Sequence, residues 1–288
     1  MKNTKIICWK FSLFGNEGAE SGVEHLYSSL SEIISEYRSD KRYVQNEFGK
    51  NISIKIYEYT KIEEYINWQK KLYNYYFNTV KNNAFPLFIG GNHLSVLPIY
   101  NYHSKTKTKT LILTFDAHID AYGSIEENLY HGNYLHHFTK SENVDIIHIG
   151  NRELILDKND TNNIIKEVYS MLYIITHGMD HLINIINEKS IEYDEIHLDV
   201  DIDVFDQSNI NSTGFPIPFG LEPNLMLKFL SSINTSKVAG ISITEYNYLK
   251  DSTGSSKNFL TWFIEYCLLG IIYKDSNAFK KSVYFKGI

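Results

Sequence analysis

The sequence predicts an α/β protein built on a mainly parallel sheet, and three observations carry that expectation. Short β-branched or aromatic runs alternate with longer stretches of helical periodicity, which is the pattern of repeated strand–helix units. Several of the runs are apolar at almost every position, as strands covered on both faces must be. The chain has 288 residues, 43% hydrophobic and 22% charged, enough for one sizeable core and too apolar for a disordered chain.

The strand candidates in order are Lys5 to Trp9, Ile52 to Tyr59, Pro86 to Gly90, Thr110 to Asp116 and Val144 to Gly150. Met171 to Thr176, Asp194 to Asp201 and Lys237 to Thr244 complete the set. Between them, Glu24 to Tyr37 carries apolar residues at Leu26, Leu30, Ile33 and Ile34, one face of a helix. Ile62 to Val80, Asp180 to Glu188, Glu222 to Ser231 and Asn258 to Ile272 are further helical stretches. Ser104 to Thr110 is a short Lys/Thr repeat, read as a solvated turn before a strand. No internal repeat and no Pro/Gly/Ser linker divides the chain, so a single domain over 1–288 is expected.

Charge and cysteine content narrow the function classes. The 28 Lys+Arg against 34 Asp+Glu leave a formal charge of −6 without a basic stripe, a poor match for nucleic acid. Cys8 and Cys267 make no disulfide framework and read as buried thiols of a reducing compartment. The apolar patch near the start is interrupted by Lys10, with no small-residue cleavage site after it. The stretch from Trp262 to Tyr273 contains Glu265 and falls short of the ~18 apolar residues of a membrane span. The expectation is a soluble, cytoplasmic protein with neither nucleic acid nor membrane as a partner.

Ligand-type side chains concentrate where three apolar runs end: Ile89 to His93, Asp116 to Asp120 and Asp199 to Asp206. In open α/β sheets ligands bind beyond the carboxyl ends of the strands. Residues two apart in extended chain share a face, so Asp116, His118 and Asp120 can converge, as can Asp201 and Asp203. Carboxylates forced together repel unless a cation sits among them. Four carboxylates with two imidazoles, His93 and His118, and no thiolate suit a hard or borderline divalent ion, Mn²⁺ best. Four negative ligands balance two such ions, and an ion pair can acidify a shared water into a hydroxide nucleophile.

On these motifs the sequence resembles the ureohydrolase family of arginases, agmatinases and formiminoglutamases. The family's ordered elements stand here as Gly90-Gly91-Asn92-His93, Asp116-Ala117-His118-Ile119-Asp120, His131-Gly132, Asp201-Ile202-Asp203-Val204-Phe205-Asp206 and Glu245. The resemblance implies a three-layer α/β/α fold with an eight-stranded, mostly parallel sheet. It implies a binuclear manganese site, two Mn²⁺ per chain. His93, Asp116, Asp120 and Asp201 would hold one ion, and Asp116, His118, Asp201 and Asp203 the other. It further implies that Glu245 grips a substrate guanidinium and that His131 shuttles a proton. The implied reaction is hydroxide attack on the guanidinium carbon, releasing urea and an amine. Homo-oligomers are common in the family, and one is expected here.

The departures from the family pattern concern the substrate end. Asn92 replaces the usual Asp before the first histidine, Leu94 is an extra residue before Ser95, and Gln207 stands where Pro commonly follows. The loop from Asp120 to His131 is shorter than in arginases of free arginine. Tyr122 occupies the place of their α-carboxylate-binding Asn, and Ile155 that of the Asp recognising the α-amino group. A site for a zwitterionic head group needs such polar partners. Their loss points to a substrate whose α-groups are missing or blocked: agmatine-like, or an arginine side chain in a peptide, as in peptide arginases that make ornithine. Tyr122 and Arg152 are candidate substrate contacts, Arg152 being equally readable as a surface ion pair.

The remaining conspicuous residues carry blander expectations. His136 and His137 are read as surface histidines, His148 and His197 as core or edge histidines. Asp199 is expected to support the ligands rather than join them, and Asp206 to cap a turn. Three rival functions fit parts of the same pattern. A mononuclear zinc deacetylase of the related fold would not need His93 and Asp120. A formimino hydrolase would use the same metals on a different group, and a non-catalytic scaffold would bind them without turnover.

Overall fold

The computed structural model describes residues 3–40, 43–59, 65–123, 126–155, 161 and 164–286. Its frame is an eight-stranded sheet in which every adjacent pair is parallel, in the order β2-β1-β3-β8-β7-β4-β5-β6. The strands are β1 (Thr4–Phe11), β2 (Ile52–Tyr59), β3 (Phe85–Gly90) and β4 (Thr110–Phe115). They continue with β5 (Val144–Ile149), β6 (Glu167–Tyr169), β7 (Glu195–Asp201) and β8 (Val238–Thr244). The α/β/α expectation holds, and seven of the eight expected strands appear within a residue or two of their bounds.

The eighth does not. Met171 to Thr176, read as a strand, lies in helix α5 (Met171–His177), and the edge strand is the three residues before it. An apolar run of six residues has no period that separates strand from helix. The deciding signal is Ser170, whose side chain accepts the Tyr173 N–H as an N-cap. Met171 and Ile174 are then buried while Leu172 and Ile175 face outward.

The other helices are α1 (Ala19–Ser39), α2 (Tyr43–Lys50), α3 (Tyr65–Lys81) and α4 (Leu97–Lys105), followed by α6 (Met179–Ser190) and α7 (Pro223–Ser232). Helix α8 (Ser255–Tyr266) runs on into a π-helical turn, Cys267–Ile272, and α9 (Asn277–Lys281) is short. The expected helix from Ile62 is described from Tyr65; its first residues lie outside the described ones. Helices α2, α4 and α9 were not expected. Helix α4 takes the first two residues of the expected Ser104 turn, with Pro98 in its first turn where no N–H is needed.

Strand alternation divides the core between the two faces. Ile6, Cys8, Leu111, Leu113 and Phe115 pack beneath α1, α6, α7 and α8; Ile7, Trp9, Phe11 and Ile112 pack beneath α3 and α4. Among the described residues no helix is long and apolar enough to cross a membrane.

Helix α1 bears directly on the site. A Cβ at Gly22 would stand 1.8 Å from the Tyr246 carbonyl oxygen, on the residue after Glu245. Ala is worth about 1 kcal/mol more than Gly inside a helix, but a core clash costs about 1–3 kcal/mol. We therefore expect Gly22→Ala to lower the melting temperature despite its better helix propensity, measured by differential scanning calorimetry.

Candidate metal centre and substrate pocket

Four adjacent strands deliver the candidate residues to one point on the C-terminal edge of the sheet. His93 follows β3, Asp116 to Asp120 follow β4, Asp199 and Asp201 lie at the end of β7 with Asp203 beyond it, and Glu245 follows β8. Because β3-β8-β7-β4 are neighbours in that order, residues far apart in sequence meet. Asp120 and Glu245 both turn with positive φ, 49° and 70°, a conformation that costs non-glycine residues energy and concentrates at functional sites.

The six expected ligands come together. His93 Nδ1 is 3.0 Å from Asp116 Oδ2, 3.0 Å from Asp120 Oδ2 and 3.3 Å from Asp201 Oδ2. His118 Nδ1 lies 2.8 Å from Asp203 Oδ2 and 3.8 Å from Asp116 Oδ1. Among the described residues two groups have ligand spacing, His93-Asp116-Asp120 and Asp116-His118-Asp203, and they share Asp116. Asp201 stands beside both, its Oδ1 accepting the Asp203 N–H at 2.9 Å. Asp199 takes the supporting place expected of it: Oδ2 bonds His93 Nε2 at 3.0 Å and accepts the Tyr100 hydroxyl at 2.7 Å. The other ring nitrogen of His93 is thereby turned toward the carboxylates, as a carboxylate partner does for a metal-bound histidine.

The electrostatics are those of a site short of positive charge. Burial, then the neighbouring charges of Asp203 and Asp120, push the Asp116 carboxyl well above the usual carboxylate range. Burial, Asp203 and Asp116 do the same to Asp201. For His93 burial opposes the charge, yet Asp199 and the contacts to Asp116 and Asp120 hold the imidazole well above its usual range. His118 is likewise opposed by burial but raised to about 10 by its bond to Asp203. Asp116 Oδ2 is buried and receives no hydrogen bond. A buried carboxylate oxygen that receives no hydrogen bond, set among oxygen and imidazole donors, fits a divalent cation, which would supply the missing charge.

Beside this centre lies a cavity of about 250 Å³ whose lining includes His118, Asp120, Asp201 and Asp203 on one side. Glu245, His131, Tyr122 and Phe215 also line it. Glu245 is buried and its carboxyl is pushed up to about 8, first by burial and then by Asp203; the His93 N–H and the Asn16 amide oppose the shift. Those two donors reach its oxygens at 2.7 and 2.8 Å. His131 sits with its ring parallel to that of Phe215, 6.3 Å between centroids. Its Nδ1 and its backbone N–H both bond the Phe14 carbonyl, at 3.2 and 3.0 Å. A carbonyl only accepts, so Nδ1 is the donor of that bond and Nε2 is the ring nitrogen left free of it.

Tyr122 lines the cavity, and its hydroxyl donates to Glu153. Glu153 Oε2 also accepts the Ile119 N–H and the Asn151 amide, each at 2.9 Å. Arg152 is placed elsewhere: it is not among the lining residues. Its guanidinium donates to the carbonyls of Val204 at 2.8 Å, Ile217 at 3.2 Å and Asp203. It is neither a surface ion pair nor at the cavity wall, and instead fastens the chain after β7. Ile155 projects outward, 96% exposed. His136 bonds the Ala121 carbonyl at 2.8 Å, half-buried rather than a free surface histidine. His148 and His197 are core residues, and Asp206 caps its turn through Ser208 and Gly220.

Sequence reasoning overlooked Asn16, Phe215 and Glu153. For Asn16 a signal existed: Gly15 and Gly18 bracket it at the ligand-bearing end of an apolar strand. Phe215 and Glu153 belong to loops whose approach to the site no spacing announces.

The chain and its fold have matches among known proteins. Residues 7–270 match the Arginase family, and the chain belongs to it. Agmatinase from Proteus mirabilis is 29% identical over 170 residues, 58% of this chain and 53% of that protein. Arginase from Entamoeba histolytica is 38% identical over 84 residues, 29% of this chain and 28% of that protein. The chain thus matches about half or less of the length of these curated relatives. The fold agrees with agmatine ureohydrolase of Thermoplasma volcanium at TM-score 0.73 and 16% identity, over 96% of this chain and 92% of that one. Arginase from Bacillus subtilis superposes at TM-score 0.73 with 20% identity, over 93% and 98% of the two chains.

Asp203 tests the two-ion arrangement, since it belongs to only one of the ligand-spaced groups. Asp203→Ala is expected to lose about one metal equivalent per chain by elemental analysis, while the His93 group retains the other. It should also destabilise by about 1–3 kcal/mol through the unpaired His118.

Proposed function

We propose that this chain is a binuclear manganese ureohydrolase that converts arginine side chains within a peptide to ornithine. The carrying observation is the cavity wall. Beside the proposed metal-ligand cluster stand a buried carboxylate, Glu245, a histidine and two aromatic rings. Such a wall accepts a guanidinium and an alkyl stem. Tyr122, which takes the place of the carboxylate-binding Asn, is committed to Glu153.

The proposed ligands are His93, Asp116, Asp120 and Asp201 for one Mn²⁺ and Asp116, His118, Asp201 and Asp203 for the other. The chemistry such ions would supply when bound is a water acidified enough to act as the nucleophile at neutral pH. The protein's own residues do the rest. Glu245, steadied on both oxygens, accepts the planar fork of guanidinium N–H donors and sets its carbon toward the cluster. Asp120, at the cavity wall, orients the attacking water. His131 Nε2 is placed to carry a proton to the departing amine, because Nδ1 is tied to Phe14. The proton balance closes: guanidinium plus water gives an ammonium and neutral urea. Phe215 and Tyr122 flank the alkyl stem and limit the water that reaches it.

The relatives named agmatinase favour a second reading, with agmatine as the substrate. Both readings follow from a missing α-carboxylate site, and one assay separates them. Urea release by Mn²⁺-loaded protein is measured from an arginine peptide blocked at both ends, from agmatine and from free arginine. The peptide is expected to yield urea and free arginine at least about a hundredfold less in kcat/KM, the scale of an unmet polar head group. Turnover of agmatine alone would replace the peptide reading with the second. Silence on all three would point to a non-catalytic relative or another amidino substrate.

A further inference from the structure

The residue that departs from the family motif, Asn92, is fully buried and holds a loop that the motif does not contain. Its amide nitrogen donates to the Leu13 carbonyl at 2.9 Å and to the Gly15 carbonyl at 3.1 Å. An aspartate could accept but not donate there, so a carboxylate would face two carbonyl oxygens. The loop held in this way follows β1 and is strained, with positive φ at Phe14 (64°), Gly15 (148°), Asn16 (36°) and Gly18 (98°). Gly15 passes so close to His131 that a Cβ there would lie 1.7 Å from Nδ1.

The loop reaches both working side chains of the pocket at once. The Phe14 carbonyl accepts a hydrogen bond from His131 Nδ1, and Asn16 Nδ2 donates to Glu245 Oε2 at 2.8 Å. Asn16 also lines the cavity, and its Oδ1 accepts no hydrogen bond among the described residues. Glu245 is already met by two donors, one on each oxygen. A guanidinium carries five N–H donors, more than this carboxylate can satisfy alone.

We propose that Asn16 is a substrate-orienting residue, its Oδ1 accepting an N–H of the guanidinium bound by Glu245, and that Asn92 is the positioning residue that holds it there. This rests on the guanidino-hydrolase reading and goes beyond it by assigning the loop after β1 to substrate recognition. The substitution of Asn for the usual Asp at residue 92 is then matched to a loop that needs a donor.

The test compares wild type, Asn16→Gly and Asn92→Asp, each loaded with Mn²⁺, on whichever of the blocked arginine peptide and agmatine the wild type hydrolyses. Glycine adopts the left-handed backbone of residue 16 freely, so the variant removes the amide without adding strain. Asn16→Gly is expected to raise KM about tenfold or more, the scale of a hydrogen bond to a charged group. Metal content should stay the same, while the melting temperature falls because the buried Glu245 Oε2 loses its donor. Asn92→Asp, which restores the family's usual residue, should raise KM in the same direction rather than improve the enzyme.

A second readout does not depend on how much variant folds. The ratio of kcat/KM between the plain substrate and its Nω-methylated form should shrink in Asn16→Gly, because the lost acceptor no longer distinguishes them. An unchanged KM and an unchanged ratio would overturn the proposal while leaving the guanidino-hydrolase reading intact. A wild type that neither hydrolyses these substrates nor binds agmatine by calorimetry would overturn both.

Discussion

Carboxylates that cannot all stay charged are packed at the carboxyl edge of this sheet, and much of the structure is arranged around them. Asp116 and Asp201 are buried among like charges and held well above the usual carboxylate range, which is costly to a folded chain without compensation. The compensation visible in the fold is partial. Asp199 and Tyr100 orient His93 from below, the Ala117 N–H and His118 share Asp203, and one oxygen of Asp116 is left over. A parallel sheet suits this purpose because each strand ends on the same side, letting β3, β4, β7 and β8 contribute to one point.

The substrate wall is built by different means. The proposed metal ligands stand on or directly after strands, whereas Tyr122, Phe215 and Asn16 stand on loops and His131 opens a short 3-10 helix. These loops are fixed by polar contacts to backbone: Asn92 on 13–15, Arg152 on 203–204 and 217, Glu153 on the Ile119 N–H. Rigid strands for the ions and braced loops for the substrate leave the chemistry constant while the specificity varies. Within such a division, Tyr122 at the cavity wall bears on the substrate without altering the proposed ligand set.

The fold and the ligand cluster were legible because their signals are local. Apolar runs such as Leu111 to Phe115 show the strands, and the two-residue spacing of Asp116, His118 and Asp120 places them on one face. Asp199 was separable from Asp201 for the same reason, one step further down the strand. Met171 to Thr176 failed because six apolar residues have no decisive period and the Ser170 cap is a single-residue signal. Arg152 failed because its partners are carbonyls more than 50 residues away in sequence, and carbonyls leave no mark in a sequence. Asn16 was missed because the N-terminal region carries none of the recognised motifs, although β1 lies beside β3 and its loop enters the cavity.

If the clustered carboxylates require cations, metal-stripped protein titrated with Mn²⁺ will bind it saturably at two equivalents per chain, the number of ligand-spaced groups among the described residues. The melting temperature will rise as the sites fill. Protein that binds no Mn²⁺ and melts at the same temperature with and without it would show that the carboxylates are held together without cations.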